Sequence, residues 1–232
     1  MRLAIMQPYF LPYIGYFQLM SSADMFVVYD DLQYTKRGWI NRNRILVNGA
    51  DSYITIALRS ASDFLDIRQR ELSPDFDRMA LLNRLRGAYL RAPFFGQTME
   101  IISEVIENPA SDLFTYLRDS LDSVSRHVGV TTTMVPSSKV PVEPGMRGQD
   151  RVLAICHALG ADSYVNASGG RALYAHADFA AEGIELSFID TLPFDYPQFG
   201  GPFVPSLSIV DVLMYNDIER VRDVVATGYR LA

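Results

Sequence analysis

The first thirty-one residues constrain the fold of this chain more than any other stretch. An apolar run at 2–6 leads into a loop bounded by Pro8 and Pro12, and a helical pattern at 13–22 precedes a second apolar run at 25–29. Proline disfavours both a continuing strand and a helix interior, so this loop must separate two elements. We therefore predict a strand–helix–strand unit, in which the helix is the crossover that two parallel strands require.

The same alternation of short apolar runs and helical patterns continues along the chain. We predict further strands at 131–135, 163–166 and 184–189. A hairpin of 44–47 with 52–58 is predicted around Asn48-Gly49, a typical hairpin turn. The predicted helices are 76–90, 94–106, 111–128, 150–159, 177–182, 208–215 and 217–226. This pattern indicates an α/β fold with a three-layer, mostly parallel, Rossmann-like sheet. We expect one domain over residues 1–232, with a helical insertion around residues 76–128.

Charge and composition exclude several classes of protein. A net charge of −6 and a pI near 5.1 argue against nucleic-acid binding, and no apolar run reaches the ~20 residues of a membrane helix, so we expect no membrane insertion. Cys156 is the single cysteine, and no signal-peptide pattern opens the sequence, so we expect a cytoplasmic protein. The three histidines share no metal-ligand spacing, and we predict no metal site.

Polar or flexible clusters follow the predicted strands. These clusters are Gln7-Pro8-Tyr9, Asp30-Asp31-Leu32-Gln33, Ser137-Ser138-Lys139, the segment from Asn166 to Arg171, and Asp190. Because the carboxyl ends of parallel strands share one edge of a sheet, we expect these clusters to converge on one ligand site.

Two segments have the composition of an anion site. Ser168-Gly169-Gly170-Arg171 could cradle a phosphate, with the glycines allowing close backbone approach, although an ordinary turn explains the same residues. Lys36 and Arg37 with Asn41-Arg42-Asn43-Arg44 form the one notable basic cluster, which suits a diphosphate or else a solvated face beside the hairpin. The glycine patterns that bind dinucleotides or nucleoside triphosphates are absent.

Asp31 and His176 are the candidates for proton transfer. Asp30-Asp31 could act as a base or bind Mg²⁺, or simply form a turn at the end of a strand. His176 lies near Tyr174 and the glycine loop, and an imidazole titrates near neutral pH. Cys156 is predicted to be a buried small hydrophobe, and no nucleophile motif is present.

Taken together, these segments resemble the WbqC-like protein family over nearly the whole chain. The residues that carry the resemblance are Gln7-Pro8-Tyr9, Pro12, Gly15-Tyr16-Phe17, Asp24-Met25-Phe26-Val27, Asp30-Asp31, Gln33, Lys36, Trp39-Ile40-Asn41-Arg42-Asn43-Arg44-Ile45, Tyr89, Ala92-Pro93-Phe94-Phe95, Ser137-Ser138, Gly160-Ala161, Tyr164, Ser168-Gly169-Gly170, Tyr174, Tyr196-Pro197-Gln198, Phe203 and Leu207-Ser208-Ile209-Val210-Asp211-Val212-Leu213. The chain departs from the family at Tyr13, where the family commonly has tryptophan.

That family is linked to bacterial surface-polysaccharide (O-antigen) gene clusters, among enzymes that build amino-sugar nucleotides. The resemblance implies a transferase of lipopolysaccharide biosynthesis that moves an acyl or aminoacyl group onto the amine of a nucleotide-linked sugar. The sequence leaves the cofactor open, with an acyl thioester as one suitable donor, and allows a homo-oligomer.

We predict catalytic roles for Asp31 and His176. The predicted substrate-binding residues are Gln7, Tyr9, Tyr13, Tyr16, Gln33, Lys36, Asn41, Arg42, Asn43, Ser138, Ser168, Gly169, Arg171, Tyr174, Tyr196 and Gln198. Two alternatives stay open. One is a nucleotide-binding enzyme of nucleotidylyltransferase-like fold, in which Tyr13-Ile14-Gly15-Tyr16 replaces a His-x-Gly-His motif. The other is a non-catalytic sugar- or nucleotide-binding partner of a glycosyltransferase.

Overall fold

A computed structural model describes all 232 residues as one six-stranded sheet, a separate hairpin and eight α-helices. The strands are β1 (Arg2–Met6), β2 (Met25–Val28), β3 (Arg42–Val47), β4 (Ala50–Thr55), β5 (Thr133–Pro136), β6 (Ser163–Ala167), β7 (Glu185–Thr191) and β8 (Tyr229–Leu231). The sheet has the order β5-β2-β1-β6-β7-β8, and β3 pairs with β4 in the hairpin. All neighbours in the sheet are parallel except β7 and β8.

Three of the eight helices begin at an aspartate whose side chain accepts a hydrogen bond from a backbone N–H of the first turn. These N-cap residues are Asp77, Asp112 and Asp217, and such caps typically stabilise a helix by about 1 kcal/mol. The helices are α1 (Ile14–Ser21), α2 (Arg78–Tyr89), α3 (Phe95–Glu107), α4 (Leu113–His127), α5 (Gly148–Ala158), α6 (His176–Ala181), α7 (Ile209–Tyr215) and α8 (Ile218–Thr227).

The predicted α/β class and the mostly parallel sheet are confirmed. The hairpin also turns where predicted, because Asn48 (φ 51°) and Gly49 (φ 80°) both adopt the left-handed backbone of a two-residue turn. Strand β8 is absent from the predicted elements, and its antiparallel pairing with β7 makes the sheet mixed. Three residues are too few for a hydrophobic period to be recognised.

Side chains of the central strand alternate between two hydrophobic clusters. Leu3 and Ile5 pack with apolar residues of α5 and α6, whereas Ala4 packs with those of α1, α7 and α8. The chain passes from β1 through α1 to β2 on one side, and it reaches β6, on the other side of β1, by way of α5. The strand order therefore reverses between β1 and β6, and ligands of open α/β sheets bind at such a reversal.

A buried carboxylate joins three separate segments of the chain. Asp211 in α7 accepts hydrogen bonds from the hydroxyls of Tyr89 (2.7 Å) and Tyr196 (2.8 Å) and from Nε2 of Gln198 (2.7 Å). The Tyr89 hydroxyl also accepts from the backbone N–H of Leu46 in β3, at 2.9 Å. Burial raises the pKa of Asp211, and the three hydrogen bonds lower it in part. The network fixes the loop after β7 against both α2 and the hairpin.

We expect Tyr89→Phe to lower the free energy of unfolding by about 1–3 kcal/mol, because it leaves a buried carboxylate oxygen and a buried N–H without a partner. Urea denaturation measures the change. Tyr53→Phe is the matched control, since the Tyr53 side chain is exposed and its hydroxyl makes no hydrogen bond within the chain. A Tyr89→Phe effect as small as that of the control would contradict a stabilising role for the network.

Candidate functional site

A cavity of about 340 Å³, here called the main chamber, opens at the carboxyl ends of β1 and β6. This volume lies in the range of about 300–1,000 Å³ that is typical of small-molecule sites. Aromatic and apolar side chains form most of its wall, with a few polar groups among them. The lining residues are Met6, Tyr9, Pro12, Tyr13, Gly15, Tyr16, Leu19, Trp39, Asn43, Arg44, Ala167, Ser168, Ile189, Thr191 and Ser206. The main chamber therefore occupies the position at which the strand order reverses.

The loop between β1 and α1 is held against the hairpin by Asn43. Its buried amide donates from Nδ2 to the backbone carbonyls of Phe10 (3.0 Å) and Leu11 (2.9 Å). Leu11 has a left-handed backbone (φ 42°), which bends the chain between the two prolines. The backbone N–H of Phe10 donates to the carbonyl oxygen of Trp39 at 3.1 Å. These contacts hold Tyr9 of the loop and Trp39, which precedes the hairpin, in the lining of one cavity.

Arg44 is the one charged residue that lines the main chamber. Its Nη1 lies 3.1 Å from the carboxylate of Asp51, and its Nη2 donates to the Ser206 carbonyl at 3.3 Å. Its guanidinium carbon lies 5.6 Å from the centre of the Trp39 ring. The Nε of Arg44 is buried and has no hydrogen-bond partner in the chain. The buried Nε is out of a ligand's reach, but each Nη makes a single hydrogen bond and keeps a second N–H, so the partly exposed guanidinium is suited to an anion.

Hydroxyl groups in the main chamber divide into those that the fold uses and those that it leaves without a partner. Tyr16 donates to the carbonyl of Gln7 at 2.9 Å, and Thr191 donates to Oε1 of Gln18 at 2.8 Å. The hydroxyls that make no hydrogen bond within the chain belong to Tyr9, Tyr13, Ser168 and Ser206. Burial raises the pKa of Tyr9. The pKa of Tyr13 is raised mainly by burial and further by the negative charge of Asp195. Both phenols are therefore neutral hydrogen-bond donors and acceptors at neutral pH.

A second cavity of about 420 Å³ adjoins the first and is here called the acidic chamber. The two chambers share a waist of four residues, Tyr13, Ser168, Thr191 and Ser206, and together they form one crevice. The acidic chamber carries two carboxylates, Asp190 and Asp195, and no basic side chain. Its other lining residues are Leu192, Pro193, Phe194, Tyr196, Phe203 and Pro205.

Several predicted site residues lie in or beside this crevice. The predicted residues that line it are Tyr9, Tyr13, Tyr16, Asn43, Ser168 and Tyr196. Gln7 lies next to it through the bond from Tyr16 to its carbonyl, and exposed Gly169 follows Ser168. Gln198 lies behind the wall, where its amide bonds both Asp211 and the backbone of Val204.

A second group of predicted residues forms structural contacts away from the crevice. Arg42 donates to the carbonyls of Gly38 and Arg37, and its guanidinium carbon lies 4.7 Å from the centre of the Tyr53 ring. Asn41 bonds the Tyr34 hydroxyl and the Ile56 carbonyl. Gln33 and Lys36 both bond Asp63 on the surface. The structure thus places Arg44, rather than Arg42, at the crevice.

Asp31 and Ser138 line another cavity, which lies on the α5 face of the sheet. The Asp31 carboxylate pairs with Arg151 at 2.6 Å and accepts a hydrogen bond from Ser137. Burial alone would raise the pKa of Asp31, but the bonds from Ser137 and Arg151 outweigh it and lower the pKa. Ser138 donates to the neighbouring carboxylate of Asp30 at 2.6 Å. Asp31 is therefore a weak base that is already paired.

The remaining predicted residues surround β7 and α6. Arg171 pairs with Asp190 at 2.8 Å, and its guanidinium carbon lies 4.9 Å from the centre of the Phe188 ring. His176 is exposed and meets the same ring edge-on at 5.7 Å. Tyr174 packs edge-on against aromatic rings of the cluster on the α5 face. None of these three lines the crevice.

Four residues that line the crevice are not among the predicted site residues, namely Trp39, Thr191, Ser206 and Asp195. Trp39 and Arg44 lie in the basic, aromatic segment before and within β3. The alternation of side chains along a strand does not show which of its faces will meet a ligand. Ser206 and Asp195 lie in an irregular loop rich in proline and glycine, where no periodic signal exists. Thr191 is the last residue of a strand that was expected to end earlier.

Three further observations bear on the nature of the site. No group of three or more His, Cys, Asp or Glu side chains is arranged to hold a metal ion. None of the eight helices has the length and apolar character needed to cross a bilayer. Cys156 is fully buried, and burial raises its pKa to about 12, so the predicted role as a small hydrophobe is confirmed.

We expect Arg151→Gln to lower the free energy of unfolding by about 1–3 kcal/mol at pH 7, because it removes the charged partner of Asp31. A lowered carboxyl pKa stabilises the fold above the unfolded value of 3.8, and this stabilisation is lost as the pH falls through the folded pKa. The difference between variant and wild type should therefore shrink below pH 3.8, which urea denaturation at several pH values measures. Arg126→Gln, which breaks an exposed pair, is the control, with an expected cost below about 0.5 kcal/mol. A pH-independent Arg151→Gln effect would exclude the Asp31 charge as its cause.

Comparison with known proteins shows the family to which this chain belongs. The model of the WbqC-like protein family matches residues 7–223. The chain is also 28% identical over 215 residues to a Mycobacterium tuberculosis protein described as "Uncharacterized protein Rv1507c", with 91% of this chain and 92% of that protein covered. No solved structure matches the chain. Because the family model spans nearly the whole sequence, including every residue that lines the crevice except Met6, this chain belongs to the WbqC-like protein family.

Proposed function

We propose that the crevice binds a nucleotide-linked amino sugar and that this protein transfers an acyl or aminoacyl group to the sugar's amine. The observation that carries the proposal is the composition of the crevice at the reversal of strand order. One arginine, four unpartnered hydroxyls and a wall of aromatic rings meet there in a cavity of ligand size. The link to surface-polysaccharide biosynthesis rests on the resemblance to the family.

Each part of such a ligand has a suitable partner in the crevice. Arg44 suits the diphosphate, because a guanidinium forms paired hydrogen bonds with phosphate oxygens. Tyr9, Tyr13 and Ser168 suit the hydroxyls of a sugar, because their own hydroxyls are not used by the fold. Trp39 suits a planar base or the apolar face of a sugar, since 39% of its surface is exposed.

The proposed reaction needs a base and a donor to the developing oxyanion, but no enzyme nucleophile. With an acyl thioester as donor, the amine nitrogen forms the new bond to the acyl carbon and the carbon–sulfur bond breaks. The nitrogen loses a proton to the base, and the departing thiolate takes up a proton. The neutral phenols of Tyr9 and Tyr13 are suitable donors to the oxyanion. Asp31 and His176 stay predictions for proton transfer, and both lie outside the lining of the crevice.

We also propose the finer architecture that the sequence predicts. A three-layer, Rossmann-like arrangement is supported by the two hydrophobic clusters on opposite faces of the sheet, and a helical insertion by α2, α3 and α4 within 76–128. A single domain, a cytoplasmic location and a homo-oligomer stay predictions.

A second candidate function is a non-catalytic module that binds a nucleotide-linked sugar. The placement of Asp31 and His176 favours it, because neither side chain lines the crevice that would hold the substrate. A nucleotidylyltransferase-like enzyme is favoured less. Its characteristic histidine positions are Tyr13 and Tyr16 here, and these phenols cannot supply the positive charge that a triphosphate requires.

We expect Arg44→Gln to weaken the binding of nucleotide diphosphate sugars by about 10- to 100-fold, the value of one charged hydrogen bond at the diphosphate. Isothermal titration calorimetry with UDP- and dTDP-linked amino sugars measures the dissociation constant. Arg59→Gln is the matched control, because Arg59 is also an arginine in a single ion pair, with Glu71 at 2.8 Å, but does not line the crevice.

If wild type and Arg44→Gln bind these sugars with equal affinity, the diphosphate does not bind at Arg44 in the main chamber. Binding without turnover, in the presence of acyl thioesters, would select the non-catalytic module. The absence of binding to any nucleotide-linked sugar would overturn the proposal as a whole.

A further inference from the structure

We propose that Asp195 recognises the amine of the substrate, so that the sugar's amino group enters the acidic chamber while the diphosphate stays at Arg44. The inference rests on the proposed function and adds the direction in which the ligand lies. It starts from the charges of the crevice, which are separated between its two chambers. Arg44 is the one charged side chain that lines the main chamber, and both charged side chains that line the acidic chamber are carboxylates.

The two carboxylates of the acidic chamber are not equivalent. Asp190 already pairs with Arg171 at 2.8 Å, which partly offsets its charge. Asp51 offsets the charge of Arg44 in the same way, but each Nη of Arg44 makes only one hydrogen bond and keeps a second N–H for a ligand. Asp195 makes neither an ion pair nor a hydrogen bond within the chain. The nearby Arg220 does not pair with Asp195 either, because its guanidinium carbon lies 5.1 Å from the centre of the Phe194 ring and it forms no ion pair. Asp195 is therefore the carboxylate that remains for a positively charged group of a ligand.

Asp195 is also close enough to the waist to act on a ligand that spans both chambers. Tyr13 belongs to both cavities, and the negative charge of Asp195 contributes to the raised pKa of its phenol. The Tyr13 hydroxyl makes no hydrogen bond within the chain, so it and the Asp195 carboxylate can approach the same sugar. A sugar amine at the waist would then lie within reach of a carboxylate, and the attached diphosphate would extend towards Arg44.

The side chain of Asp195 is exposed, but the loop that carries it is anchored to the fold. The next residue, Tyr196, donates to the buried carboxylate of Asp211, and Gln198 bonds the same carboxylate at 2.7 Å. This anchoring reduces the entropy cost of holding Asp195 in position when a ligand binds. The carboxylate pairs with the ammonium form and accepts the proton that the nitrogen must lose before it can attack the acyl carbon. The second proton, released as the carbon–nitrogen bond forms, goes to the departing thiolate.

The test compares sugars that differ only in the amine. Titration calorimetry at pH 7 uses UDP- and dTDP-linked sugars with an amine at carbon 2, 3 or 4, each beside its hydroxyl counterpart. We expect wild type to bind at least one amine about tenfold more tightly than its counterpart, the value of a charged hydrogen bond. Asp195→Asn should abolish this preference and change the affinity for the hydroxyl sugar by less than about twofold.

Asp75→Asn is the matched control, because Asp75 is an exposed aspartate outside both chambers. Unfolding curves of both variants should coincide with that of the wild type. An amine preference that survives in Asp195→Asn, or that wild type lacks for every pair, overturns the role of Asp195 and leaves the proposed function standing if the hydroxyl sugars still bind. If neither member of any pair binds, the proposed function fails first.

Discussion

The reversal of strand order between β1 and β6 is the constraint on which the rest of the structure depends. Helix α1 follows β1 and packs on one face, whereas α5 leads into β6 and packs on the other. The two connections diverge, so neither covers the carboxyl ends of these strands. The crevice lies at this opening and is bordered by two segments outside the sheet, namely the hairpin and the loop after β7. Their side chains decide the chemistry of the crevice.

Hydrogen bonds of a few buried side chains tie these segments to the rest of the fold. Asn43 bonds two successive carbonyls of the loop after β1, and the Tyr89 hydroxyl bonds β3 as well as Asp211. Such bonds satisfy buried polar groups that a loop would otherwise leave without partners. The result is a cavity whose wall segments are held by hydrogen bonds to their neighbours and whose unused polar atoms are few. Those atoms, rather than the total polarity of the lining, define what the crevice can recognise.

Much of the fold could be predicted from the sequence, because buried strands and amphipathic helices are encoded locally. The unit from Arg2 to Val28 is an example, since its apolar runs and prolines leave one interpretation. The site was harder to predict. Polar residues do follow the strands, but Asp31 and Ser168 reach opposite faces of the sheet, and the sequence does not say on which face a residue after a strand will lie. Arg42 and Arg44 have the same residue type and neighbouring positions, and only the tertiary contacts of the hairpin distinguish them.

The carboxylate of Asp211 has a consequence for the motions of the molecule. It is bonded to α2, whose Tyr89 holds the hairpin, and to the loop that carries Asp195, so two segments that border the crevice are linked through a single buried group. Local opening of the loop would break two hydrogen bonds to this carboxylate, and local opening of the hairpin would break the bond to the Tyr89 hydroxyl that donates to it. Amide hydrogens of β3 and of the loop around Tyr196 should consequently exchange with solvent as one cooperative unit, and a ligand that spans the crevice should slow both together.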